Sequence, residues 1–193
     1  MEYERLKEYM MKLLKRGLAS NLYYHGIHHT IDVMRATEEI AKAEKIAGTD
    51  KTILMTAALF HDAGYLVRYK ENEHISADIC WKLLPHFGYT PSEISMIAQM
   101  IMSTAMPQSP KNKFDFIICD ADLDYLGRDD FFIRGCNLRR EWKEYGMDMT
   151  IRDWYLQQID FLANHKYYTA TSNIKRAEKK QKHLESLIKM LGK

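Results

Sequence analysis

The sequence predicts an all-α fold, a bundle of about eight or nine helices, and three observations carry that expectation. Apolar residues recur three and four apart along nearly the whole chain, which is the spacing of one helix face. No segment alternates apolar and polar residues over a useful length, and the most strand-like run, Phe114 to Cys119, is short and isolated. Four prolines and nine glycines in 193 residues leave room for long uninterrupted helices.

Each element follows from its own pattern. Leu6, Met10, Leu13 and Leu14 give a first helix its apolar face, and Gly17 ends it. Ile31, Met34 and Ile40 stripe a second, from about Thr30 to Ile46. Thr49 or Asp50 caps a third, whose apolar residues Ile53, Leu54, Ala57, Ala58 and Phe60 lead to a stop at Gly64. A fourth covers about Ile75 to Phe87. Thr90 as cap and Pro91 in the first turn open a fifth, which reaches Ser103. Pro107 and Pro110 make Ala105 to Lys113 a loop. Helical spacing resumes over Phe114 to Leu126, Asp130 to Tyr145 and Ile151 to His165, and a last helix spans about Thr169 to Leu191.

The length suits one domain over residues 1–193. A 46% hydrophobic and 28% charged composition is that of a folded globular chain rather than a disordered one. The net charge of +2 supplies no global field for nucleic acid or an anionic membrane, so neither is expected as a partner. Cys80, Cys119 and Cys136 are odd in number and widely spaced, which suggests free thiols in a reducing compartment. The N-terminus carries charges of both signs and lacks the apolar core of a signal peptide, and no run approaches the ~20 apolar residues of a membrane span. A soluble, cytoplasmic protein is expected. The basic run Lys175, Arg176, Lys179, Lys180 and Lys182 is broken by Glu178 and Glu185 and reads as the solvated face of the last helix.

Three segments carry chemistry. His61-Asp62 closes an apolar helix, where a carboxylate meets an unfavourable helix dipole that a cation would relieve. Upstream, Tyr24-His-Gly-Ile-His-His-Thr30 holds three histidines at the mouth of the second helix. Downstream, Cys119-Asp-Ala-Asp-Leu-Asp-Tyr-Leu-Gly127 holds three carboxylates at alternate positions. Two imidazoles and two carboxylates suit a first-row divalent cation, which acidifies water and polarises a phosphoryl oxygen. His25 and His29 are four apart, but Gly26 stands where a zinc metalloprotease needs its glutamate. A calcium loop starting at Asp120 fails because Tyr125 takes the turn glycine's place and Phe131 the twelfth position.

The order His29-Thr30, then His61-Asp62-Ala-Gly-Tyr65, then Ala121-Asp122-Leu123 resembles the H…HD…D signature of the HD superfamily of metal-dependent phosphohydrolases. The resemblance runs from about residue 24 to 127, with residues 128–193 expected to pack on that core. It includes Ala57-Ala-Leu-Phe-His-Asp-Ala-Gly64 and Glu73-His-Ile-Ser-Ala77. A weaker likeness to one bacterial subgroup of predicted phosphohydrolases follows in Asn137-Leu-Arg-Arg-Glu-Trp142 and Gln158 to Thr169. The resemblance implies a helical fold and a divalent metal (Mn, Fe, Ni, Zn, Co or Mg) held by His29, His61, Asp62 and Asp122. It implies hydrolysis of a phosphomonoester or diester in a nucleotide or small phosphorylated metabolite. Asp120 then stands behind the ligands, orienting a histidine or a water. His25 and His28 orient or cover the site. Arg139 and His165 are candidate phosphate-binding groups, and Thr104 a pocket hydroxyl.

The departures narrow the reading. Ala63-Gly64-Tyr65 replaces the Glu-Asp pair of the guanosine-tetraphosphate hydrolases. No histidine stands around Ser103-Thr104, and Asn72 occupies a position where some two-metal relatives have one, so a single metal is expected even though His74 is a candidate for a second. Glu73 is then the candidate general acid or base, with Asp62 acting through the metal shell. Two rival readings remain open: a diiron oxygenase of the same superfamily, and a non-catalytic module that binds a nucleotide or metal. A homo-oligomer is also left open.

Overall fold

A computed structural model of the chain describes residues 1–192. They form nine α-helices: α1 (Tyr3–Gly17), α2 (Ile27–Ala43), α3 (Gly48–Phe60), α4 (Asn72–Leu83), α5 (Pro91–Thr104), α6 (Lys113–Asp122), α7 (Phe131–Glu144), α8 (Ile151–Asn164) and α9 (Ala170–Met190). Short 3-10 turns lie at Ala63–Leu66, Leu84–Phe87 and Asp124–Gly127. No strand occurs among the described residues, so the all-α expectation holds. The run Phe114 to Cys119 is helical, as part of α6.

The first six helices enclose the larger core. In α1, Leu6, Met10 and Leu14 lie four apart and are buried, each worth about 1.5–3 kcal/mol against exposure. Helix α3 is its centre: every residue from Ile53 to Phe60 is buried, with α1, α2, α5 and α6 packed around it. A capping box starts α5, where the Thr90 hydroxyl accepts from the Glu93 N–H and the Glu93 carboxylate accepts from the Thr90 N–H at 2.7 Å. Asn112 caps α6 by accepting from the N–H groups of Phe114 and Asp115.

Helices α7 to α9 enclose a smaller second cluster with the turn Asp124–Gly127. Its buried members include Leu126, Phe131, Leu162, Tyr167 and Leu187, and Tyr24 joins them from the segment before α2. Helix α9 presses so close to Gly127 that a β-carbon there would lie 2.4 Å from the Arg176 carbonyl oxygen. Beside it Arg176 grips Asp124 with two hydrogen bonds of 2.6 and 2.9 Å. Arg128 and Arg134 pair with Asp32 and Asp130, tying α7 to α2.

Three helix boundaries differ from expectation in ways that matter for the site. Helix α2 starts at Ile27 rather than near Thr30, with Gly26 as cap, so His29 sits in the first turn. Helix α3 stops at Phe60, and His61 and Asp62 occupy a turn before the 3-10 segment. Helix α4 starts at Asn72 rather than near Ile75, which puts Glu73 in its first turn, and Pro85 tightens its end into a 3-10 turn.

Candidate active site

Four donor groups converge where the two clusters meet. His29 comes from the first turn of α2, His61 and Asp62 from the end of α3, and Asp122 from the last residue of α6. His29 Nε2 lies 3.1 Å from Asp122 Oδ1, 3.3 Å from His61 Nε2 and 3.4 Å from Asp62 Oδ2. His61 Nε2 lies 3.2 Å from Asp62 Oδ2 and 3.6 Å from Asp122 Oδ1. Both carboxylates stand at helix C-termini, the negative end of each dipole. Negative charge therefore accumulates at one buried point.

The donor set fits a divalent cation. Bonds of about 2.1 Å from N and O ligands place neighbouring donors about 3.0–3.4 Å apart around one ion, and the observed separations fall in or beside that range. The His61 Nδ1–H donates to the Ala58 carbonyl at 2.8 Å, which leaves the Nε2 lone pair pointing at the cluster. Asp62 Oδ1 accepts from the Asn72 amide at 3.1 Å, whereas Asp62 Oδ2 is buried with no hydrogen-bond partner. An orphaned carboxylate oxygen between two imidazoles is a costly arrangement that a cation would repay. Among the described residues His29, His61 and Asp122 are the one group of three or more His, Cys, Asp or Glu donors close enough to share an ion, and Asp62 adjoins it through the two imidazoles. Burial works against charge on His61, yet Asp62 and Asp122 outweigh it and push the imidazole up to about 9. A proton and a metal thus compete for the same lone pair.

Local sequence dictates this geometry through Gly64. A β-carbon at that position would lie 2.0 Å from the Asn72 carbonyl oxygen, so only glycine lets the turn after His61-Asp62 press against the start of α4. The Gly64 N–H donates to Ser76 Oγ at 2.8 Å, fixing the same contact. This close approach is what delivers the Asn72 amide to Asp62.

A cavity of about 440 Å³ opens over the donors, lined by Asp62 and Asp122 on its floor and by His25, Tyr65, Glu73 and Thr104 around them. Burial pushes the Glu73 carboxyl above its ordinary range against a backbone hydrogen bond that pulls it down, and Asp62 and Asp122 add to the rise. Thr104 donates its hydroxyl to the Ile101 carbonyl at 2.8 Å. His25 stacks on Tyr65, with ring centroids 4.6 Å apart.

Glu141, which sequence reasoning passed over, holds His25 in place. This carboxylate is fully buried on α7 and accepts four hydrogen bonds. Donors are the Tyr24 N–H at 2.8 Å, the His25 N–H at 3.0 Å, the Tyr69 hydroxyl at 2.9 Å, and His25 Nδ1 at short range. With Nδ1 spent on Glu141, Nε2 is the ring nitrogen that His25 has left for a ligand.

Other expected residues lie elsewhere. Asp120 does not stand behind the ligands. It is two residues from Asp122 on α6, about 200° around the helix, and faces the opposite side. There it accepts from the N–H groups of Tyr168 and Thr169, both at 2.8 Å, and from the Thr169 hydroxyl at 2.7 Å, anchoring the start of α9. Arg139 is not on the cavity wall, because it faces the α7–α8 connection and donates to the Met149 carbonyl at 2.7 Å. His165 is not on the wall either. It ends α8 between Phe161 and Tyr167 beside Lys180, and burial, with Lys180, pushes its imidazole down to about 4. His28 and His74 are exposed, so neither covers the site nor offers a second metal a buried ligand.

Fold and site together define a class: an all-helical protein with a buried His-Asp cluster that could hold a cation at the floor of a cavity. The chain belongs to the HD domain family, whose model matches residues 26–165. HD domains bind divalent metals, and the family in general comprises metal-dependent phosphohydrolases. An uncharacterized protein of Clostridium beijerinckii (strain ATCC 51743 / NCIMB 8052) is 32% identical over 81 residues, covering 40% of this chain and 51% of its own length. The chain thus matches about half the length of that relative. No solved structure gives a significant match. No helix among the described residues is long and apolar enough to cross a membrane.

Proposed function

We propose that the protein hydrolyses a phosphomonoester or phosphodiester of a nucleotide or small phosphorylated metabolite, with one divalent metal held by His29, His61, Asp62 and Asp122. The observation that carries this reading is the unpartnered Asp62 Oδ2 set between His29 and His61 at the base of a cavity. A bound divalent ion would supply Lewis acidity toward water and toward a phosphoryl oxygen.

The chain's own groups do the rest. Glu73 lines the cavity with a carboxyl whose proton affinity is raised, which suits it to take a proton from water or return one to the leaving oxygen. His25, oriented by Glu141, offers Nε2 to a phosphoryl oxygen where charge develops. Tyr24, Tyr65 and Tyr125 wall the floor and exclude bulk water.

The test is metal content per chain by elemental analysis on wild type and His61→Ala, followed by a phosphate-ester screen with the same metal. One equivalent lost in the variant, with turnover by wild type only, is the expected result. Two irons per chain would move the diiron oxygenase to the front. A wild type that holds one metal, turns over no ester and is still stabilised by a nucleotide would favour a binding module.

A further inference from the structure

The cavity wall is poor in positive charge. Besides Asp62 and Asp122 it carries the carboxylates Glu73 and Asp160, and His25 is its one imidazole; neither lysine nor arginine lines it. The arginines nearby are committed elsewhere. Arg128 and Arg134 serve Asp32 and Asp130, Arg139 serves the Met149 carbonyl, and Arg140 lies over the Tyr23 ring at 3.7 Å. A divalent cation is balanced by Asp62 and Asp122 alone, so little positive charge remains for a substrate. One phosphoryl group can face the metal and His25. A second or third would face the half-buried Glu73 on the wall or the exposed Asp160 at the rim, and like charges repel.

The rest of the wall is built for a flat, uncharged body. Tyr69, Tyr125, Leu138, Trp142 and Phe161 line it. Gln158 stands among them on α8, 6% exposed, and its side chain makes no hydrogen bond. Its Oε1 is turned away from the cavity, closed off beside Gly135 of α7, so this residue adds bulk to the wall and reads nothing on a ligand.

We infer that the cavity selects compounds bearing a single phosphoryl group on a flat, uncharged body, and turns away di- and triphosphates. The inference rests on the phosphohydrolase reading of the same site and narrows it.

The experiment is titration calorimetry on manganese-loaded protein in excess manganese, using phenylphosphonate, methylphosphonate and inorganic triphosphate. Phenylphosphonate is expected to bind at least about tenfold more tightly than methylphosphonate or inorganic triphosphate. Leu138→Arg, which adds a cation to the wall, should raise affinity for inorganic triphosphate at least about fivefold. Inorganic triphosphate bound as tightly as phenylphosphonate by wild type, or no gain in Leu138→Arg, overturns the inference and leaves the phosphohydrolase reading standing. The expected binding order in a protein that turns over no phosphate ester overturns that reading instead and leaves the single-phosphoryl selectivity in place.

Discussion

Replacing Glu141 with glutamine removes one charge and one acceptor from a carboxylate that four donors share. The wild-type group accepts from the N–H groups of Tyr24 and His25 on one oxygen and from Tyr69 and His25 Nδ1 on the other. An amide oxygen can keep one of these pairs, but the NH2 group then faces the donors of the other. Hydrogen bonds to a charged acceptor contribute about 1.5–3 kcal/mol each, and the Tyr69 hydroxyl can turn to recover part of the loss, so a net cost of about 3 kcal/mol is expected. In a chain of this length that is about 6–12 °C in Tm. Burial disfavours the charged His25 ring, while Glu141, Asp62 and Asp122 together raise its pKa above the ordinary value. A raised folded-state value stabilises the protein fully below the unfolded pKa of about 6.5, and that contribution fades as pH rises through the folded value. The gap between wild type and Glu141→Gln, measured by thermal unfolding in EDTA, should therefore be wider at pH 6 than at pH 9. With metal restored, kcat/KM on an aryl phosphate should fall by about 10–100-fold at unchanged metal stoichiometry, the usual cost of losing a group that orients an active-site histidine. A variant that melts within 2 °C of wild type at pH 6 and keeps its kcat/KM would refute the role assigned to Glu141, since ~3 kcal/mol cannot be hidden there.

Three further outcomes follow from the same structure. Gly64→Ala forces a β-carbon to 2.0 Å from the Asn72 carbonyl oxygen, so a loss above about 4 kcal/mol, read by denaturant unfolding, is expected together with weakened metal retention. Asp120→Ala removes the acceptor for three hydrogen bonds at the start of α9 and should cost about 3–5 kcal/mol by chemical denaturation, while elemental analysis finds the metal content unchanged. His165 is pushed down to about 4 by burial and Lys180, so the unfolded state binds its proton first as acid is added, and stability falls by about 2–3 kcal/mol from pH ~6.5 toward 4. His165→Leu should flatten that part of the pH profile of urea unfolding, and an unchanged profile would show that His165 is not what titrates there.

Local pattern made most of the fold readable. A helix that buries one face repeats its apolar residues every three or four positions whatever its partners are, so Leu6, Met10 and Leu14 mark α1 without reference to any other helix. Thr90 and Glu93 mark the start of α5 because a capping box closes within four residues. The His-Asp cluster was readable for a related reason: each of its parts is a short local phrase, and His61-Asp62 stands out against the apolar run before it. Its supporting groups were less visible. Glu141 lies 116 residues from His25, and in the sequence it is one charge among Arg139, Arg140, Lys143 and Glu144. Nothing local separates a buried acceptor from a solvated carboxylate.

Two misplacements could have been avoided with the helix period alone. Residues two apart on a helix point about 200° away from each other, so Asp120 and Asp122 cannot both serve one site unless the helix breaks between them. The same rule separates Arg139 from Glu141 on α7: with Glu141 turned inward, Arg139 is carried toward the α7–α8 connection, where Met149 receives it. Gln158 shows the period working in the other direction. Trp154, Gln158 and Leu162 recur four apart and are the buried residues of α8, so Gln158 is a polar group at a core position of its helix. A polar side chain placed there by the period, with no polar partner at i±3 or i±4 beyond Trp154, Tyr155, Phe161 and Leu162, has to find its hydrogen bond outside its own helix. In this fold it finds none: Oε1 is shut in beside Gly135 of α7 with no donor, so the helix period that buries Gln158 also leaves it an unmet desolvation cost.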